Sequence, residues 1–419
     1  MAKEKKEPRR DSHRRVLYDG EYERVPGKYV FRWREVTGYT GKGQKLYTQH
    51  AISADSLDEL REQERQIRRD KEDGIKARRP ETLNDYVDRW LKKKRSLKAN
   101  TKSNYQYMYT KFVRNVKLGR TKVRDLTKSD LIDFYTDLVD KGELSVSTCD
   151  TLQNVIKPAL DMAFEEDVIR RNPATGALTE LKKEAQKNKD DLRALGKEKP
   201  ETLTLAEQIR LLDVVHGTVW EPLITFELLT GVRIGETALT WDCVDYDNGV
   251  IYIRRTLSKY ADEERNREYV SEIHSPKSKK GVREIPITPK IKEMLELQKQ
   301  IGYKCTSSVD GLDDFIFCTR EGTPHNQGSV NRYLKRMVAR ANDEAGEKGV
   351  LLPSMHTHMF RKTCACNKIR QGYGLEEVAA ILGHSDIQTT HKYYLVAKDL
   401  LKKDSDKEKI EELKRRGIL

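Results

Sequence analysis

Apolar residues are scarce in this chain of 419 residues, at 37% of the total. No apolar stretch is long enough to cross a bilayer, and no signal-peptide or lipidation pattern is found, so no membrane partner is expected. Cysteine is sparse as well. The six present, Cys149, Cys243, Cys305, Cys318, Cys364 and Cys366, include no CxxC pair. Cys364 and Cys366 stand two apart in a helical pattern, where they face different ways. That argues against a disulfide framework and fits a reduced, cytoplasmic setting. No carboxylate pair accompanies His356, His358, His384 and His391, which disfavours a zinc-dependent nuclease.

Charge is what the chain has in quantity. Asp, Glu, Lys and Arg make 35% of it, with 80 Lys+Arg against 67 Asp+Glu and a net charge of +13. Such a surplus favours a polyanionic partner, because neutralising phosphates releases counterions. Nucleic acid is the first candidate; an anionic membrane surface would suit the charge but is set aside by the missing apolar run and lipidation motif. At this length two to four domains are expected.

Residues 1–11 are polar and mostly charged and read as a flexible basic arm. From 15 to 50 the period is strand-like: Tyr29, Phe31 and Trp33 share one face, with Val30, Arg32 and Arg34 on the other. Pro26-Gly27 and Gly41-Lys42-Gly43 mark turns, giving about three short antiparallel strands. Ser56-Leu57-Asp58-Glu59 then opens a charged helix ending near Gly74. A basic sheet face of this kind, with Arg32, Arg34 and Lys45, has the size to enter a major groove.

Residues 81–175 read as four helices. Thr82 starts the first, whose apolar stripe holds Tyr86, Trp90 and Leu91; Thr101 starts the second. Thr127 to Asp130 caps the third, which Gly142 ends, and the fourth runs from about Ser147 to the Asn172-Pro173 stop. Lysines such as Lys102 and Lys111 suit a DNA clamp; a plain bundle with solvated charges is the blander alternative. Residues 176–200 read as a linker, partly helical at most. Thr204 to Glu207 caps the next helix, followed by a buried helix at Leu223–Leu229, a strand at Val250–Arg254 and a strand pair flanking Lys277–Gly281. Helices return from about Ser329. The fold class is multidomain α+β: a small sheet plus a helix, a helical domain, and a mainly α domain with a small antiparallel sheet.

The last domain carries residues suited to breaking a phosphodiester. That reaction needs an attacking oxygen, cations on the non-bridging oxygens, a hydrogen-bonding base and an acid for the leaving 5′ oxygen. Tyr393 offers the oxygen. It stands nine residues past His384, about two and a half turns at ~3.6 residues per turn. Arg233 and Arg361 offer forked donors that fit phosphate. His358 and His384 can move protons near neutral pH, and a lysine of the Lys277–Lys280 turn can serve as the acid. Each has a plainer explanation alone: Arg233 as a capping residue, Gly383-His384 as a helix end, Tyr393-Tyr394 as packing, the lysine turn as solvated surface. Together, in this order and in a basic chain, the plain explanations fail.

On these motifs the chain resembles the tyrosine recombinases of the phage-integrase type, most of all the integrases of conjugative transposons. Thr230-Gly231-Val232-Arg233-Ile234-Gly235-Glu236 with Trp241-Asp242 is similar to the family's first arginine box, His358–Arg361 to its His-x-x-Arg box, Leu382–His384 to its Leu-Gly-His box and Tyr393 to its nucleophile. The lysine is matched best by Lys279, with Lys277 as the alternative. The resemblance implies an arm-type DNA-binding domain at 12–75, a core-binding domain at 81–175, a linker at 176–200, a catalytic domain at 201–399 and a tail helix at 400–419. It further implies cleavage through a 3′-phosphotyrosine without metal or ATP, strand exchange through a Holliday junction, and a homotetramer on double-stranded DNA with arm-type and core-type sites. A small excision factor and a bacterial, nucleoid-associated setting are also implied. The tail, with Ile410, Leu413 and Leu419 as its apolar handles, is expected to pack on a neighbouring protomer. A type IB-like topoisomerase shares the chemistry but needs no second DNA address. An architectural DNA-binding protein would leave the Arg/His/Tyr set as coincidence.

Overall fold

The computed structural model describes residues 8–72, 81–195, 202–262, 265–276, 278–346, 349–386, 388, 390–391 and 406–419. The chain divides into two compact units, Met1–Asp190 and Asp191–Leu419.

The first unit begins with a three-stranded antiparallel sheet, β1 (Glu21–Val25), β2 (Lys28–Tyr39) and β3 (Lys45–Ala54), in the order β1-β2-β3. Alternation along β2 sorts its side chains: Tyr29 and Phe31 bury against Leu57 and Leu60 of α1 (Leu57–Glu72), with Trp33 packed beside them. Arg32 and Arg34 point from the opposite face and are exposed, as a period of two requires. The Ser56 hydroxyl accepts from Glu59 N at 3.1 Å and starts α1.

The helical part follows with α2 (Leu83–Lys93), α3 (Ala99–Tyr109), a π turn (Thr110–Arg114), α4 (Lys117–Arg120), α5 (Lys128–Asp140) and α6 (Val146–Glu165). Thr82 and Thr127 form capping boxes with Asp85 and Asp130. Tyr86, Trp90 and Leu91 of α2 bury against Leu152, Ile156 and Leu160 of α6. Two expected ends move. The second helix starts at Ala99 rather than Thr101, with no side-chain cap. The fourth starts at Val146 behind the Ser145 cap and stops at Glu165, where Asp167 at φ +57° turns the chain. Asn172 comes later and is tied back, its amide donating to Lys157 O at 2.8 Å and Asp161 Oδ1 at 2.6 Å. Within the stretch read as a linker, α7 spans Thr179–Ala194.

In the second unit, α8 (Leu205–Val215) is capped by Thr204 and Glu207, and α9 (Glu221–Thr230) is buried almost all round. Two small sheets come next: β4 (Val244–Asp245), β5 (Val250–Ile253) and β8 (Arg283–Pro286), and separately β6 (Thr256–Asp262) with β7 (Glu268–His274). β7 and β8 flank the lysine turn but do not pair with each other. Thr256 faces His274 in one sheet and Val250 faces Pro286 in the other, so the turn is a crossing between sheets and not the hairpin loop expected. Helices α10 (Pro289–Ile301), α11 (Gln327–Glu344), α12 (Thr357–Arg370) and α13 (Leu375–Leu382) complete the unit, and its core joins Phe226, Ile251, Ile285, Leu334 and Phe360. The last helix, α14 (Lys407–Arg415), buries Leu413 with Ile418 against Leu205, Leu212 and Leu228 of its own chain. The tail expected on a neighbour is docked at home.

Candidate active site

Arg361 is the centre of the site. It lies one turn into α12 and is 1% exposed. Its Nη1 donates to Gly231 O at 2.7 Å, and its Nη2 donates to Leu382 O. Those carbonyls close α9 and α13, so the guanidinium sits where two helices present unpaired carbonyls and the negative ends of their dipoles. The approach needs Gly231. It caps α9 at φ +61°, and a Cβ there would stand 2.5 Å from Leu382 Cδ2.

Arg233 leaves the same cap two residues later. Its Nη1 donates to Glu236 Oε1 at 2.8 Å, while its backbone N donates to Glu236 Oε2 at 2.9 Å. Glu236 is buried and also accepts from Arg283 Nη2 at 2.9 Å. Burial alone would raise the Glu236 pKa; the Arg283 guanidinium, helped by Arg233, lowers it and keeps a carboxylate. Arg233 keeps 43% of its side chain exposed, so its second face is open to a ligand.

His358 falls three residues before Arg361, hence on the same side of α12. His384 follows Gly383, the left-handed end of α13, and its Nδ1 lies 2.7 Å from Thr390 Oγ1. Burial, then the charges of Arg361 and Arg233, push His384 down to about 3. His358 is more exposed, yet the crowding of its ring, then Arg361 and Lys362, push it down to about 4. Both imidazoles are neutral near pH 7. The same two arginines act on both rings, so the structure brings Arg233, His358, Arg361 and His384 to one place.

Lys279 opens a short 3₁₀ turn, Lys279–Gly281, and is exposed. The contacts of that turn run through its backbone: Gly281 O accepts from Arg283 Nη1 at 3.0 Å, and a Cβ on Gly383 would stand 2.7 Å from Lys280 O. Lys277 and Tyr393 lie outside the described residues. Glu236, Arg283 and Thr390 are the partners that sequence reasoning did not assign; only the Glu of the first arginine box was visible as a motif letter.

The DNA-contact candidates lie in the first unit. Arg32 and Arg34 share the open face of the sheet with Lys45, and Arg32 rests over the Tyr22 ring at 4.8 Å. Lys102 is half-buried on α3; Lys111 is exposed on the π turn, over Phe112 at 4.9 Å. Among the described residues no group of three His, Cys, Asp or Glu converges as a metal site, and no helix is long and apolar enough to cross a membrane.

Residues 201–399 match the phage integrase family, 5–77 the DNA binding domain of Tn916 integrase, and 82–182 the phage integrase SAM-like domain. The chain belongs to the phage integrase family: it is a tyrosine recombinase. Within that family it is of the conjugative-transposon type. The transposase from transposon Tn916 of Enterococcus faecalis is 24% identical over 407 residues, covering 93% of each chain. A tyrosine recombinase XerC-like protein of Caldanaerobacter subterraneus subsp. tengcongensis is 25% identical, over 75% of this chain and 78% of that one. Among solved structures, the Tn1549 transposon integrase in complex with a circular intermediate DNA shares the fold at a TM-score of 0.63 and 23% identity, covering 74% of this chain and 94% of that one.

Proposed function

We propose that this chain integrates and excises a mobile element, with Tyr393 as the nucleophile on the scissile phosphate. The observation that carries this is the gathering of Arg233, Arg361 and two neutral imidazoles at the ends of α9 and α13. Tyr393 attacks phosphorus, forming a 3′-phosphotyrosine as the bond to the 5′ oxygen breaks. Arg233 and Arg361 neutralise the charge that develops on the non-bridging oxygens. His358 and His384, uncharged at neutral pH, orient the phosphate and accept the tyrosine proton. Lys279 protonates the departing oxygen, with Lys277 as its alternative. The phosphotyrosine keeps the bond energy, so a 5′ hydroxyl from a partner duplex reverses the step without metal or ATP.

The DNA is held in three parts: the sheet face of 12–75 on arm-type sites through Arg32, Arg34 and Lys45, the helices of 81–175 on core-type sites through Lys102 and Lys111, and the catalytic domain at 201–399. Two rounds of strand exchange through a Holliday junction call for a homotetramer on DNA, with a small excision factor setting direction. The match of residues 5–77 to an integrase DNA-binding domain supports recombination over supercoil relaxation, which needs no second address.

The test is a denaturing gel of the protein with a nicked suicide duplex carrying its attachment site, in EDTA. A protein–DNA adduct that disappears in Tyr393→Phe is expected. A verified site with no adduct would defeat the assignment.

A further inference from the structure

Arg283 begins β8, two residues after the lysine turn, and only 6% of its side chain is exposed. Each nitrogen of its guanidinium has an acceptor inside the protein, which engages three of its five N–H groups. Nε donates to Ile381 O at 2.8 Å, Nη1 to Gly281 O at 3.0 Å and Nη2 to Glu236 Oε2 at 2.9 Å. Those acceptors belong to three separate pieces of the site: the end of α13 that leads into His384, the turn that holds Lys279, and the turn that holds Arg233. Gly383 supports the same junction. At φ +69° its missing Cβ would stand 2.7 Å from Lys280 O and 3.2 Å from Arg283 Cδ, so the turn and the end of α13 meet backbone to backbone.

A guanidinium this enclosed, with each of its three nitrogens already bonded to the protein, is not presented to a phosphate. Its geometry suits another task. We infer that Arg283 is a positioning residue for the general acid, fastening the lysine turn to the end of α13 so that Lys279 reaches the departing 5′ oxygen. This rests on Lys279 being that acid. In the step concerned the Tyr393 oxygen bonds to phosphorus, the P–O5′ bond breaks, and the Lys279 ammonium gives its proton to the 5′ oxygen. Without the fork the turn keeps its local hydrogen bond, Gly281 N to Ser278 O at 2.9 Å, but loses its tie to α13. A lysine at 283 could keep the charge facing Glu236, yet its single ammonium cannot serve three acceptors set in a fork.

The experiment compares two suicide duplexes, one ordinary and one with sulfur in place of the scissile 5′ bridging oxygen. A thiolate leaves without being protonated, so only defects in the acid are repaired by the sulfur. On the ordinary duplex Arg283→Lys is expected to slow adduct formation about 100-fold, the lower range for a lost acid or base. On the sulfur duplex it should run at the wild-type rate. Lys279→Ala is the control and should behave alike. If Lys279→Ala is rescued while Arg283→Lys stays slow on both duplexes, the positioning role is wrong and the acid assignment stands. If Lys279→Ala is not rescued, the acid assignment fails and takes this inference with it. A wild-type rate for Arg283→Lys on the ordinary duplex also overturns it. Should Arg283→Lys melt before assay temperature, Arg283→Gln, which leaves Glu236 in place to hold Arg233, is read the same way.

Discussion

Two arginines of one site carry the same charge and are held very differently, and that difference is measurable. Arg233 is half exposed, so Arg233→Ala should cut adduct formation roughly 100- to 1,000-fold while costing little stability. Arg361 is enclosed and satisfies two helix-end carbonyls. Arg361→Ala should lose as much activity and also about 1–3 kcal/mol for each carbonyl left bare, read from denaturant melts of the two variants side by side. The histidines give a pH signature. His325, His358 and His384 are all pushed down, to about 4, 4 and 3, from 6.5. Such groups take up protons in the unfolded chain first, so folding stability is intact above pH ~6.5 and falls as pH drops toward 4. His325 packs at a tilt against Trp220, with ring centroids 4.6 Å apart. His325→Phe keeps a ring there and should flatten the fall in Tm between those pH values; an unchanged slope would remove His325 from the account. The catalytic candidates could be grouped from the chain because each sits in a short motif with its own spacing. Glu236 and Arg283 could not be joined that way. Their contact spans 47 residues and that of Arg283 with Ile381 spans 98, and no local pattern encodes a buried pairing at that range.

Among the elements, helix starts were readable wherever a side chain closes the first turn. Thr82, Thr127 and Thr204 each accept from the backbone three residues on, a local event that a tetrapeptide reveals. The start at Ala99 has no such cap, so Thr101 offered a false signal. Strand partners are a different matter. The lysine turn resembles a hairpin loop because strands stand on both sides, yet β7 and β8 join different sheets: β7 is taken by β6 just before it, and β8 reaches back past both to β5. Helix α9 holds a feature that a pattern cannot show. Glu227 is 1% exposed, neither carboxylate oxygen has a hydrogen-bond partner, and burial raises its pKa well above 4.5. A raised acid is tolerated while protonated and becomes a burden as pH climbs past 4.5, the opposite sign to the histidines. Glu227→Leu should therefore raise Tm, by an amount that grows as pH rises above 4.5. An equal gain at pH 4 and pH 8 would show that volume, not charge, is responsible.

At the level of the molecule, the order of a small sheet, a helical part and a larger mixed unit could be read from changes of period and from the charge-rich stretch near 176–200. The seat of the tail could not, because α14 has the same few apolar residues whichever surface receives it. Here Leu413 fills a site made by Leu205, Leu212 and Leu228; the Arg416–Asp213 pair beside it, 2.6 Å long and partly exposed, adds little. Leu413→Ala should cost about 2–5 kcal/mol in the melting of the second unit; a loss under about 0.5 kcal/mol, the range of ordinary surface changes, would mean the tail is not seated there in solution. The seat of Arg361 has a further result in time. Its two anchors lie 130 residues before it and 21 after it. A ribosome makes the sheet and the helical part first, and α13 is among the last pieces released. Until Leu382 emerges, Arg361 has only one of its two supports. A half-made chain therefore holds Arg361 at one end only, and the candidate site is among the last parts of the molecule to be completed.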